Sequence, residues 1–149
     1  MNPPYRPNAE QAGVAWAKTI PEVDASKVAT KLPADVTKWA STGFVVVSNV
    51  GGSTPVGIEV RQSVLSFDCY WANPNSEKTP WGEARALAES VFHGFFIEDL
   101  FPQRFEIPSF LPVSVRSGWT NTEPRRVPGS VAGYAHVSFD ATIAWCVAR

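Results

Sequence analysis

A histidine, a serine and an aspartate recur at two-residue spacing near the carboxyl end of the sequence: His136, Ser138 and Asp140. These are the base, nucleophile and orienting acid of hydrolytic chemistry. Their spacing argues against that use. In an extended chain they stand in a row on one face, about 7 Å apart, too far for the hydrogen bonds that would activate a serine. The expectation is a solvated strand face. A second reactive set lies in VLSFDCYWA, residues 64–72, with an acid, a thiol and two rings. Alternation sends Leu65, Phe67, Cys69 and Trp71 one way and Val64, Ser66, Asp68 and Tyr70 the other. Cys69 thus falls on the apolar side, where a thiol packs as a small hydrophobe and its pKa rises. Glu98, Asp99 and Glu106 are the carboxylates that a paired acid–base site would draw on. His93 lies late in a helix, where the dipole favours a histidine whatever the function. Gly51-Gly52 reads as a turn rather than a phosphate cradle, with no Lys-Ser/Thr pair nearby. Cys69 and Cys146, with two scattered histidines, make neither a disulfide framework nor a zinc signature. The residue types point to no catalytic site, no metal and no cofactor.

The elements that would position these residues follow from periodicity. Residues 1–7 carry Pro3, Pro4 and Pro7 and read as an extended, poorly folded arm, with a single domain over 8–149. Asn8 caps a helix with Gln11 three residues on. Ala9, Ala12, Gly13, Trp16 and Ile20 share its apolar face, and Pro21 stops it. Residues 28–32 are expected as a short strand, followed by the β-branched run FVVVSNV at 44–50, a possible strand at 58–61, and the strand containing Cys69. After the turn-rich NPNSEKTP loop, Thr79 is the expected N-cap and Pro80 the first helical residue. Trp81, Ala84, Ala88, Val91 and Phe95 then share one helical face, to about residue 96 unless Gly94 ends it sooner. Residues 97–112 are too apolar for a free linker and too rich in proline for a helix, so they are expected to pack on something.

Two strands close the chain. In the first, Val113, Val115 and Trp119 alternate with Ser114, Arg116 and Gly118. In the last, Ala135, Val137, Phe139, Ala141, Ile143, Trp145 and Val147 face one way, opposite a mostly polar set. At about 3.3 Å per residue that strand would run some 45 Å. Such length suggests pairing outside its own domain, or a bend or bulge. The order predicts an α+β fold: a mainly antiparallel or mixed sheet flanked by two helices.

The 149 residues suffice for one domain with a real core. A hydrophobic content of 44%, a charged content of 18% and a net charge of −1 describe a globular chain with no global pull toward nucleic acid or acidic membranes. No apolar run approaches the roughly 20 residues of a membrane span. The amino terminus lacks the apolar stretch of a signal peptide, so reduced cysteines inside a cell are expected. Surfaces for a partner are then the main question. The segment TNTEPRRVPGSVAG, 120–133, is far longer than a hairpin connection needs. Its Arg125 and Arg126 suit carboxylate or phosphate pairing, against the plainer reading of a solvated loop. With Arg104, Arg116, Phe101 and Phe105 they form the candidate subunit or partner interface.

The segments FVVVSNVGG (44–52) and VLSFDCYWANPNSEKTPWGEARALAESV (64–91) resemble tail-terminator proteins of long-tailed bacteriophages, especially those of actinobacteria. An apolar strand ending in Gly51-Gly52 precedes Asp68-Cys69-Tyr70-Trp71-Ala72, then Asn73-Pro74-Asn75, then Pro80-Trp81-Gly82. The close likeness covers about a third of the chain; from residue 97 onward it reduces to two closing strands. The resemblance implies a ring of identical subunits, six in most members, that caps the tail tube when it reaches its set length. It further implies the tail tube protein and the head connector or stopper as partners, assembly in the host cytoplasm, and a final place in the virion at the head–tail junction. DNA passes through such a ring without specific binding, and the family has no catalytic site or cofactor. A stopper or completion protein, which docks to the head first, is the nearest alternative. A small α+β enzyme or ligand-binding domain, with a polar pocket around His136 or Asp68, is the more distant one.

Overall fold

A computed structural model describes residues 4–76, 78–128 and 133–148. The chain is α+β, as the order of elements predicts: a curled, mixed seven-stranded sheet and two helices. Helix α1 spans Ala9–Ala17 and α2 spans Trp81–Gly94. The strands are β1 (Val28–Ala29), β2 (Phe44–Ser53), β3 (Arg61–Ala72), β4 (Gln103–Phe105), β5 (Val113–Thr120), β6 (Arg125–Arg126) and β7 (Tyr134–Val147). The sheet runs β1-β2-β3-β7-β5-β4, with β6 also on β7; only β1 and β2 are parallel.

The capping box of α1 forms as its residues require. The Asn8 side chain accepts from the Gln11 backbone N–H, and the Gln11 side chain accepts from that of Asn8, both at 2.9 Å. The helix ends at Ala17, one turn before Pro21, yet Ile20 is still buried. Helix α2 has no side-chain cap: Pro80, not Thr79, holds the cap position. Gly94 does end α2, and a methyl group there would stand 2.8 Å from Ile20 Cδ1. Both helices pack on one face of the sheet. Trp16, Ala84, Ala88 and Val91 meet Leu65, Phe67, Cys69, Val137, Phe139 and Ile143 in a single core. Residues 97–112 pack there too, through Ile97, Phe101, Phe105 and Ile107. The other face is covered at one end by a smaller cluster in which Trp39 meets Tyr70 and Tyr134 edge-on.

Other expectations change. Gly51-Gly52 is not a turn: β2 runs through both residues, with a bulge at Val50, and the chain reverses at 54–60, so 58–60 are not strand. A Cβ on Gly52, whose φ is +142°, would collide with the Gln62 carbonyl oxygen across the hairpin. Strand β1 is shorter than 28–32, holding only two residues. In β5 a bulge between Val115 and Ser117 turns out Arg116 and reverses the alternation after it. Gly118 therefore faces the core, within about 3.0 Å of Phe95 and Phe101 for an added Cβ, and Trp119 faces outward, 42% exposed. The length of β7 is used within the chain on both of its edges. It pairs with β3 from Tyr134 to Trp145, and on its other side with β5 and β6.

The amino-terminal arm is extended, as its prolines dictate, but not loose over its described part. Tyr5 forms a parallel bridge to Phe110, with Tyr5 N–H donating to Ser109 O at 3.0 Å and Leu111 N–H to Tyr5 O at 2.9 Å. Pro7 is buried. Residues 1–3 of the arm lie outside the described residues.

Candidate functional site

The centre of the sheet carries the one compact polar cluster built from the residues that sequence reasoning singled out. Antiparallel pairing of β3 with β7 sets Asp68 opposite Ser138 and Tyr70 opposite His136. His136 thus lies diagonal to Asp68 on the same face, within reach of a long side chain. Its Nε2 donates to Asp68 Oδ1 at 2.6 Å. Ser66 Oγ donates to Asp68 Oδ2 at 3.1 Å and stands 3.2 Å from Ser138 Oγ. The Tyr70 ring stacks on His136 with centroids 4.3 Å apart.

This face is not the solvated row the spacing suggests. The His136 and Asp68 side chains are 13% and 18% exposed, and Ser138 is buried. Burial alone would raise the Asp68 carboxyl. Hydrogen bonds from His136, Ser138 and Ser66, with the His136 charge, outweigh it and hold the group below its ordinary value. Their own burial and the Asp68 charge together shift two neighbours. Tyr70 is raised by desolvation first and by the Asp68 charge second, and the Cys69 thiol is pushed well up for the same two reasons. Cys69 is fully buried and unreactive, as its side of the strand requires.

The arrangement has an acid and a base but not a nucleophile. Both serines address the carboxylate, and Asp140, the third member of the sequence row, uses its backbone to hold Asn121 and Thr122. A serine activated for attack would have to bond to the imidazole. The cluster does structural work: it ties the two central strands in one register, and among the described residues no buried side-chain nitrogen or oxygen lacks a partner. Among the described residues no three His, Cys, Asp or Glu side chains converge to hold a metal ion. Glu98 and Asp99 lie exposed in a short 3-10 turn, and Glu106 pairs with Arg104 at 3.1 Å.

The interface candidates are dispersed. Strand β6 occupies the middle of the 120–133 segment, so Arg125 and Arg126 sit on a strand rather than a free loop; 129–132 lie outside the described residues. Strand pairing sends the two arginines to opposite faces. Arg125, opposite Ser138, lies on the face of the His136–Asp68 pair and touches Thr122 Oγ1 at 3.4 Å. Arg126 lies on the helix side, its guanidinium 4.8 Å from the centre of the Trp81 ring. Phe101 stacks on Trp16 at 5.1 Å, and Phe105 packs against the core from edge strand β4. Arg104 lies exposed on β4 and Arg116 on the β5 bulge.

What sequence reasoning missed is the exposed apolar set. Val56 is fully exposed, Ile58 58% and Val50 57%, all on the β2–β3 hairpin, and Tyr5 is 63% exposed on the adjoining arm. Arg6 joins arm to hairpin through Glu59 at 3.4 Å. The signal was present as TPVGIEV, aliphatic residues inside a turn where polar ones are the rule. The best-formed cavity, about 480 Å³, lies elsewhere: between α1, β1 and the chain after β4. Among the described residues no helix is long and apolar enough to cross a membrane. No protein-family model matches the chain, and no curated protein matches it in sequence.

Proposed function

We propose that this chain is a tail-terminator subunit: a ring of identical copies caps the tail tube, ends its elongation and presents the surface to which the head connector joins. The observation that carries the reading is how the resembling segments sit in the fold. Residues 44–52 and 64–91 are β2, β3, the loop after it and α2, which adjoin as one unit at the heart of the domain rather than as scattered matches. Three exposed aliphatic side chains on one hairpin add support, because a chain that works as a lone monomer seldom offers them together. Arg125, exposed beside the central polar cluster, is the contact we assign to the tube or the connector. The ring lies in the virion at the head–tail junction, and DNA crosses its lumen unread, in keeping with a net charge of −1.

The test is tube growth. Tail tube protein from the same virus is polymerised with and without this chain, and tube lengths are measured by electron microscopy. Shortened, blunt-ended tubes carrying a ring are expected. Tubes of unchanged length at a molar excess of the chain, with no ring at their ends, overturn the reading. Binding to the head connector in place of the tube would select the stopper or completion protein instead. The His136–Asp68 bond is the observation that favours a small hydrolase, but its serines face the acid and not the base.

A further inference from the structure

The proposed ring needs two different surfaces on each copy, one to fit the other, because identical subunits in a ring meet head to tail. We infer that the β2–β3 hairpin tip of one copy inserts into the groove between α1, β1 and β4 of the next. The inference rests on the ring reading and deepens it.

The tip, residues 54–60, is the sequence TPVGIEV, and every residue from 54 to 59 is exposed. Val56 touches nothing: its exposure is complete. The tip is also held in place. Two strands of ten and twelve residues support it, the Gly52–Gln62 approach fixes their spacing, and Arg6 meets Glu59 at its base. A fully exposed aliphatic side chain on a supported hairpin is an anchor awaiting a pocket.

The groove is the matching half. It is open, about 480 Å³, and mainly apolar, lined by Val14 and Ala15 of α1, Val28 of β1, and Phe105, Ile107 and Pro108. It lies where the curled sheet brings its two outermost strands to either side of α1. No residue of 54–60 lines it, so a chain cannot fill its own groove with its own tip in this fold. Charge does not oppose the pairing. Lys18 stands at the groove, exposed, and makes no ion pair among the described residues, while Glu106 there is engaged by Arg104. The one charged residue of the tip, Glu59, is engaged by Arg6 in the same way, so the approach sets no unpaired like charge against Lys18.

Two substitutions separate the halves. Val56→Asp spoils the tip, and Ala15→Glu spoils the groove; Lys18→Glu, at an exposed position, serves if Ala15→Glu melts early. Each purified variant is compared with the wild-type chain by light scattering across a concentration series. Wild type is expected to form a ring-sized species, and each variant alone to weaken assembly by at least about thirtyfold, the effect of losing one anchor. The mixture of Val56→Asp and Ala15→Glu is the decisive sample. It contains one intact tip and one intact groove, so it should form a pair and stop at two. A wild-type chain that stays monomeric throughout overturns the contact. So does a Val56→Asp variant that assembles like wild type, even if Ala15→Glu does not, since the groove then takes some other segment. So does a mixture that shows no pairing. Tube capping is scored separately, so a failed tip–groove contact and a failed terminator reading give different results.

Discussion

Replacing Trp16 with alanine tests the fold at the point where most of it converges. Trp16 is fully buried, and its ring lies 4.3 Å from Phe95, 5.1 Å from Phe101 and 6.5 Å from Phe67. It thereby joins α1 to the end of α2, to the 97–101 segment and to β3. Large-to-small changes at such aromatic sites cost about 3–5 kcal/mol, the lost transfer energy plus the cavity. A further penalty would apply if the indole left a buried acceptor bare. It does not: Trp16 Nε1 donates to Leu100 O at 3.2 Å, but Gln103 Nε2 donates to the same oxygen at 2.9 Å and remains. The expected loss is therefore about 3–5 kcal/mol and not more. At about 2–4 °C per kcal/mol for a chain of this size, the midpoint of thermal unfolding should fall by about 6–20 °C. Trp16→Phe keeps most of the ring and loses the hydrogen bond, so about 1–2 kcal/mol is expected. Urea unfolding with a common m-value gives both numbers. A Trp16→Ala protein within 1 kcal/mol of wild type would refute the docking of α1 on the sheet.

Other changes probe single features. Asp68→Asn should cost about 1–3 kcal/mol at pH 5, from weakened charged hydrogen bonds. Because Asp68 is held below its ordinary value when folded, its contribution is complete above the unfolded pKa near 4 and lost as pH falls through the lower folded one. The wild-type chain should therefore lose more stability than Asp68→Asn between pH 5 and pH 2; parallel urea midpoints would contradict this. Gly52→Ala must move Gln62 or the hairpin backbone and should cost about 1–3 kcal/mol, read in the same titration. The Trp81–Arg126 contact should give a coupling energy of about 0.5–1 kcal/mol in a double-mutant cycle of the two alanine variants, and none if the guanidinium points to water. In thiol labelling, Cys69 should react only on unfolding, and Cys146, which is partly exposed, should account for any native reaction.

Much of this fold is legible in one sequence because its long elements are strongly periodic. The capping box at Asn8, the alternation from Val64 to Ala72 and the fourteen residues of β7 need no partner to be recognised. What was not legible depends on added residues and distant pairing. A single bulged residue at 116 exchanges the roles of Gly118 and Trp119, and the bulge at Val50 lets β2 run past Gly51-Gly52; neither leaves a local signature. Strand β6 is two residues long and exists because β7 offers it an edge, so Arg125 and Arg126 read as loop until that edge is known. The His136–Asp68 pair joins residues 68 positions apart, and only the β3–β7 register makes them neighbours. Spacing along one strand groups His136 with Ser138 and Asp140, whereas pairing across strands groups it with Asp68.

That regrouping bears on where assembly can occur. The aromatic residues that composition offers for contacts are mostly engaged within the chain: Phe101 on Trp16, Phe105 on the core, Trp81 under Arg126, and Trp39 between two tyrosines. The central strand β7 is paired on both sides, and Asp68, Ser66 and His136 of the polar cluster bond to one another. Groups already bonded have little to gain from a partner, since new hydrogen bonds would replace existing ones at nearly equal energy. Exposed aliphatic groups gain about 25 cal/mol for each Å² they bury. In the proposed ring the energy for association would therefore come from the periphery, from the β2–β3 tip and the groove beside α1, while the centre of the sheet fixes the register that holds both in position. On this division, substitutions at His136 or Asp68 should alter stability first and assembly only through it, and substitutions at Val56 should do the reverse.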